Sequence, residues 1–182
     1  MLNKLEDGWI IPTRLPATQP FTGGEATNLD GVAILEYWQW AYSGIVGNTD
    51  RGNLAEFLVA KALAITTDVR NDWADFDLTT TDGTKIEVKS SAFVQSWKQR
   101  RTYTPRFSIK KTLPTWDYAS TTKQRYADVY VFCLLAHLDK ETINPLDVAQ
   151  WEFYALRTDT IERDFGDAQS ISLKDIRIRS KQ

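Results

Sequence analysis

Apolar positions recur along the chain at two spacings, and the changes between them divide it into elements. Residues 1–28 carry Pro12, Pro16, Pro20 and the pair Gly23-Gly24, which forbid a long helix and predict an arm lying across the body. Residues 29–43, with Ile34, Leu35, Trp38 and Tyr42, follow helical spacing. So do residues 51–64, which follow the capping candidates Thr49 and Asp50, and Gly44 and Gly47 separate the two helices. From residue 73 to 91 the period drops to two, predicting strands. After an irregular basic stretch come two further strand candidates at 128–136 and 150–156, a short helix at 158–165, and an alternating segment at 171–178. Helices before and after a set of β runs predict an α/β or α+β domain with a mixed sheet. One domain is expected over residues 1–182, with 1–28 as the arm and 29–182 as the core.

Composition narrows the chemistry. With 182 residues, 42% apolar and 12% aromatic, the chain is large enough to bury a core by itself. Its one cysteine, Cys133, lies inside an apolar run, so disulfide scaffolds and cysteine-rich zinc sites are excluded and an inert buried thiol is expected. A single histidine, His137, leaves little from which to build a serine-protease-type triad or a multi-histidine metal site. Any metal chemistry must rest on carboxylates. Neither a signal-peptide run nor an apolar stretch long enough to span a bilayer is present, which predicts a cytoplasmic protein with no membrane partner.

Net charge is −2, but it is unevenly spread. Lys98, Arg100, Arg101, Arg106, Lys110, Lys111, Lys123 and Arg125 with the single acid Asp117 give residues 98–125 a charge of +7, which leaves −9 elsewhere. An acidic body with one basic segment suits a site that holds cations and approaches an anionic polymer, and a solvated loop has the same composition.

Two features supply candidate acids. On the second helix Glu56 falls between Val59, Ala60 and Leu63, facing inward, although a carboxylate near a helix start also complements the dipole. Residues 76–80 and 84–91 flank Thr81-Asp82-Gly83, a three-residue hairpin loop with Gly at its left-handed position. That register pairs Leu78 with Ile86, Asp77 with Glu87, and Asp75 with Lys89, so that these acids share one face with Lys89. Two acids directly opposite repel unless a cation sits between them, and hard divalent ions accept such oxygens. An amphipathic hairpin whose polar face is screened by Lys85 and Lys89 fits the same alternation.

A helix acid, an Asp on one strand and Glu-x-Lys on the next resembles the PD-(D/E)XK nuclease superfamily, the restriction-endonuclease-like fold. The residues are Glu56 in RGNLAEFLVAKAL, Asp77 in WADFDL, and Glu87 with Lys89 in KIEVKSS; the proline before the Asp is replaced by Phe76. The resemblance covers about residues 50–97. It implies a mixed sheet flanked by helices, with N-terminal helices preceding the hairpin, and a Mg²⁺-dependent DNA nuclease with Mn²⁺ able to substitute. Asp77, Glu87 and the Val88 carbonyl would hold the ion, with Glu56 as a water-mediated ligand or a ligand to a second one. Lys89 would orient or deprotonate the attacking water, and Gln95 would help position metal or substrate. Lys98, Arg100, Arg101, Arg106, Lys110 and Lys111 are then candidate DNA contacts, interleaved with Tyr103 and Phe107. Residues 106–110 also read as an amphipathic strand with Phe107 and Ile109 inward. DNA is the expected partner, within a homodimer or a larger repair or defence assembly. The alternative is an inactive nuclease-fold scaffold subunit. Trp38, Trp40, Trp97, Trp116 and Trp151 are expected in the core or at element ends, and Asp128 as a strand-end cap.

Overall fold

The computed structural model describes residues 3–6, 9–24, 27–65, 69–115, 117 and 119–180. Strands β1 (Asn3–Glu6) and β2 (Trp9–Pro12) pair antiparallel, so the arm contains a hairpin that the prolines did not foretell. Helices α1 (Ile34–Tyr42) and α2 (Asn48–Ala62) follow. The central sheet is built from β3 (Leu78–Thr79), β4 (Lys85–Ala92), β6 (Val129–Leu135) and β7 (Trp151–Arg157) in the order β3-β4-β6-β7. β4 and β6 run parallel, while β3 and β7 pair antiparallel to their neighbours. It is a mixed sheet flanked by helices, as expected.

β6 is covered on both faces, which is why its sequence, VYVFCLL, is an unbroken apolar run. On one face Cys133 and Leu135 join Ile86, Val88 and Ala92 of β4 under Ala55, Val59 and Ala60 of α2. On the other, Tyr130, Phe132 and Leu134 pack with Leu156, with Ile161 of α3 (Thr158–Phe165), and with Phe107 of β5 (Arg106–Ser108) and Ile171 of β8 (Ser170–Ser172). Each fully buried Phe, Leu or Ile side chain here contributes about 1.5–3 kcal/mol on burial. β5 and β8 form a separate antiparallel ribbon, and Phe107 and Ile109 point inward as the alternation predicted.

Parallel pairing requires a crossover of a dozen or more residues. Residues 93–128 supply it, so the basic stretch leaves the sheet at the end of β4, three residues or more beyond Lys89.

Several expectations are corrected. The alternating segment 171–178 is strand only as far as Ser172: after β8 the chain forms α4 (Leu173–Arg179), because the Ser172 hydroxyl oxygen caps it by accepting from the Asp175 N–H at 3.2 Å, and Leu173 and Ile176 bury one helical face. α1 buries none of its residues, and Trp40 is 84% exposed. Trp97 is 53% exposed, so of the five tryptophans assigned inward only Trp151 is fully buried; Trp38 is half-buried and Trp116 lies outside the described residues.

Candidate active site

The hairpin register follows from its turn. Gly83 has φ +88°, a conformation glycine adopts without strain, and its N–H donates to the Thr80 carbonyl at 3.0 Å. Leu78 pairs with Ile86 and Thr79 with Lys85, as predicted. The ladder stops there, two residues short on β3. The Asp77 N–H donates to the Ile86 carbonyl at 3.0 Å, and the Asp77 carboxylate then accepts the Val88 N–H at 2.7 Å, where a continued ladder would offer a backbone carbonyl. Asp77 is thereby bonded to the strand that carries Glu87 without being paired to Glu87 in the sheet. Asp75 leaves the expected face altogether: its carboxylate accepts the Thr115 N–H at 2.7 Å and pins the crossover.

Glu56 lies on the part of α2 that overlies the sheet, with its side chain 13% exposed. Arg70 grips it through two bonds, Nε to Oε2 at 2.5 Å and Nη2 to Oε1 at 3.0 Å, and also pairs with Asp72. Burial pushes the Glu56 carboxyl up from its ordinary value, against the hydrogen bonds of Arg70; the Asp77 charge adds to the push and Lys89 opposes it. Glu87, 18% exposed, is ion-paired with Lys89 two positions along the same face of β4. Its carboxyl too is pushed up, first by burial, with Lys89 opposing and the charges of Asp77 and Glu56 adding. Glu56 and Glu87 thus both feel the charges of Asp77 and Lys89. Glu56 and Asp77 line a cleft of about 470 Å³. Among the described residues, no three His, Cys, Asp or Glu side chains stand as a ready-made metal cage; Glu56 is held by Arg70 and Glu87 by Lys89.

A family model described as bacteriophage T4 endonuclease IV matches residues 36–174. The chain belongs to the bacteriophage T4 endonuclease IV family. That membership places it among nucleases, and the endonuclease IV match takes in α2, the hairpin, the whole crossover and β6 to β8, hence all four clustered residues. No curated protein matches the sequence.

The other candidate residues take up these places. Gln95 is buried beyond the end of β4, its Nε2 donating to the Ala92 carbonyl at 2.8 Å, and it lines a different pocket from the acids. Lys98, Arg100, Arg101 and Lys110 are exposed. Arg106 donates to the Ser170 hydroxyl at 2.9 and 3.1 Å. The Lys111 ammonium is ion-paired with Asp167 at 2.9 Å and with Glu162 at 3.2 Å. Arg125 likewise serves the core, fully buried and paired with Glu162 at 2.7 Å. Asp128 caps as expected, accepting the Lys85 N–H at 2.8 Å, and Cys133 is buried. No helix among the described residues is long and apolar enough to cross a membrane.

Two neighbours of the candidate residues are not legible as such in the sequence. Arg70 lies fourteen positions from Glu56 with no periodic relation to it. Arg51 was visible as the one cation at the start of an otherwise apolar helical face, and it is 3% exposed.

Proposed function

We propose that this chain is a Mg²⁺-dependent DNA endonuclease of the PD-(D/E)XK type, acting at Glu56, Asp77, Glu87 and Lys89. The observation that carries the reading is geometric: in a member of an endonuclease family, the Asp77 carboxylate is held by the Val88 N–H against the strand that bears the Glu87–Lys89 ion pair, and Glu56 lines the same cleft as Asp77. Half-buried carboxylates, with burial and neighbouring acids pushing Glu56 and Glu87 up, are an unfavourable group by themselves, and a hard divalent cation relieves that repulsion with oxygen donors of the right chemistry. Asp77, Glu87 and the Val88 carbonyl would hold it, with Glu56 joining through water once Arg70 lets go. The ion supplies Lewis acidity and activation of water.

The rest falls to the chain itself. Lys89, 29% exposed beside Glu87, orients the attacking water and offsets charge building on the phosphate. The Val88 N–H fixes the Asp77 carboxylate, so that it presents its second oxygen to the site. Lys98, Arg100, Arg101 and Lys110, which carry no ion pair among the described residues, hold the DNA backbone as it crosses the β4 edge. The water oxygen bonds to phosphorus as its proton passes to solvent, the bond from phosphorus to the 3′ oxygen breaks, and that oxygen takes up a proton from solvent, leaving a 3′-hydroxyl and a 5′-phosphate.

The test is incubation of labelled duplex, branched and single-stranded DNA with the protein in Mg²⁺, Mn²⁺, Ca²⁺ or EDTA. Cleavage in Mg²⁺ or Mn²⁺ that EDTA abolishes is expected. Cleavage that persists in EDTA overturns the metal-dependent reading, and binding without cleavage in any metal overturns the enzymatic one.

A further inference from the structure

At the C-terminal end of β4, starting from the residue after Lys89, opens a polar pocket of about 310 Å³ lined by Ser90, Ser91, Gln95, Trp97, Arg51 and Arg106 among others. No carboxylate lines it. This is unusual in a molecule whose other arginines are mostly neutralised: Arg70, Arg125, Arg157, Arg163, Arg177 and Arg179 each pair with an acid. Arg51 is 3% exposed, yet its partners are all neutral: the Ser90 hydroxyl at 3.1 Å, the Val46 carbonyl at 3.0 Å and the Asn48 amide oxygen at 2.8 Å. These use three of its five N–H groups. Among the described residues, Arg106 is bonded only to Ser170. Two guanidinium groups thus meet in one concavity without a counter-charge among the described residues.

A desolvated cation without a counter-charge is costly, and burial works against the charge of Arg51. Hydrogen-bonded neutral acceptors hold it in place without cancelling its field. Gln95 adds an independent sign that the pocket is incomplete: it is 3% exposed, and its Oε1 has no hydrogen-bond partner while its Nε2 is taken by Ala92. A phosphate group meets both demands. Its anionic oxygens accept from the free N–H groups of Arg51 and Arg106, an arrangement guanidinium favours. The P–OH of a terminal phosphate, or a water carried with an internal one, donates to Gln95 Oε1. The Ser90 hydroxyl keeps its proton to donate while accepting from Arg51.

We propose that this pocket binds a phosphate group of the nucleic-acid strand, at a position just beyond the one that is cut. The inference rests on the nuclease reading for what the bound polymer is, and on the pocket alone for the phosphate. It gives Arg106 a function of its own, separate from the exposed basic residues of the crossover, and gives Arg51 one that burial otherwise leaves without explanation.

The test uses the whole chain in EDTA, so that no cleavage enters. First, melting is followed in sodium phosphate and in sodium chloride at matched ionic strength, for the native chain and Arg106→Ala. Arg51 is part of the packing under α2, so Arg106, at the surface, is the variant that keeps the fold. Tens of millimolar phosphate are expected to raise Tm by about 2–4 °C over chloride in the native chain, and by little in Arg106→Ala. Second, binding of a short labelled oligonucleotide with either a 5′-phosphate or a 5′-hydroxyl is measured across salt. Arg106→Ala is expected to weaken binding by about five- to tenfold and to reduce the salt slope by about one counterion. Loss confined to the 5′-phosphate strand identifies a terminal phosphate; equal loss on both identifies an internal one. Equal stabilisation of both chains by phosphate, or oligonucleotide binding unchanged in Arg106→Ala, overturns the inference. A chain that meets both expectations yet cleaves no DNA in Mg²⁺ keeps this pocket and loses the nuclease reading. One that cleaves but fails both loses the pocket alone.

Discussion

The Asp77 carboxylate accepts the backbone N–H of Val88 at 2.7 Å, and by doing so ends the β3–β4 ladder with a side chain in place of a carbonyl. One bond therefore does two things. It seals the edge of β4 at the point where Glu87 and Lys89 emerge, and it fixes which way an acid of the cluster faces.

The dual role separates two substitutions. Asp77→Ala leaves the Val88 N–H without its acceptor, at a cost of about 1–3 kcal/mol. Asp77→Asn keeps an acceptor of the same shape and removes a charge that raises both glutamates, so its stability stays close to that of the native chain. Urea unfolding midpoints for the two variants, with unchanged m, measure the difference.

Arg70 competes with any cation for Glu56. Removing a partly exposed ion-pair partner is worth ~1 kcal/mol, or about fivefold in a dissociation constant. Arg70→Ala is therefore expected to bind Mn²⁺ about fivefold more tightly than the native chain in a calorimetric titration without DNA. Equal or weaker binding means that Glu56 takes no part in holding the ion.

Acid stability depends on a second charged cluster, that of Glu162, Arg125 and Lys111. Burial opposes ionisation of Glu162, but hydrogen bonds from Arg125 and Lys111 outweigh it and hold the carboxyl below its ordinary value. The folded state then binds fewer protons than the unfolded one, so this contribution is present above the ordinary carboxylate range and is lost as pH falls through the lowered value. Glu162 is 38% exposed while Arg125 is fully buried, so solvent screens the pair. Glu162→Gln is expected to cost about 1–2 kcal/mol at pH 7 and to flatten the acid limb of Tm against pH below 4.5.

Cys133 sits between β4 and β7, with burial pushing its thiol up to about 12. A thiol-reactive disulfide reagent at pH 8 is expected to label it only after denaturation. Labelling of the folded chain at the unfolded rate would show that the α2 side of the sheet is open.

Much of this was legible in the sequence because it depends on short-range rules. The three-residue loop ending in Gly83 fixed the hairpin register, and the apolar run through Cys133 marked a strand covered on both faces. Glu56 was placed inward by helical spacing alone. What was hidden lies in side chains acting outside their periodic role. Alternation put Asp77 opposite Glu87, whereas its carboxylate bonds the next backbone N–H and the strand stops. The same alternation read through Ile171 and Leu173 as one strand, although Ser172 with Asp175 three residues later is a helix-start signal at that point. Lys111 counted toward a basic surface until Glu162 and Asp167, distant in sequence, were found around it. Trp40 and Trp97 show that an aromatic at helical or strand-end spacing need not be core.

The central claim is that the hairpin-edge cluster performs metal-assisted phosphodiester hydrolysis, and single-turnover cleavage of DNA by Asp77→Asn at saturating Mg²⁺ tests it most directly. This variant keeps the Val88 hydrogen bond and the fold. A rate reduced by about 10²–10³-fold or more, the equivalent of several kcal/mol of lost charge stabilisation, with oligonucleotide binding in EDTA unchanged, is the predicted result. A rate within tenfold of the native chain contradicts the account.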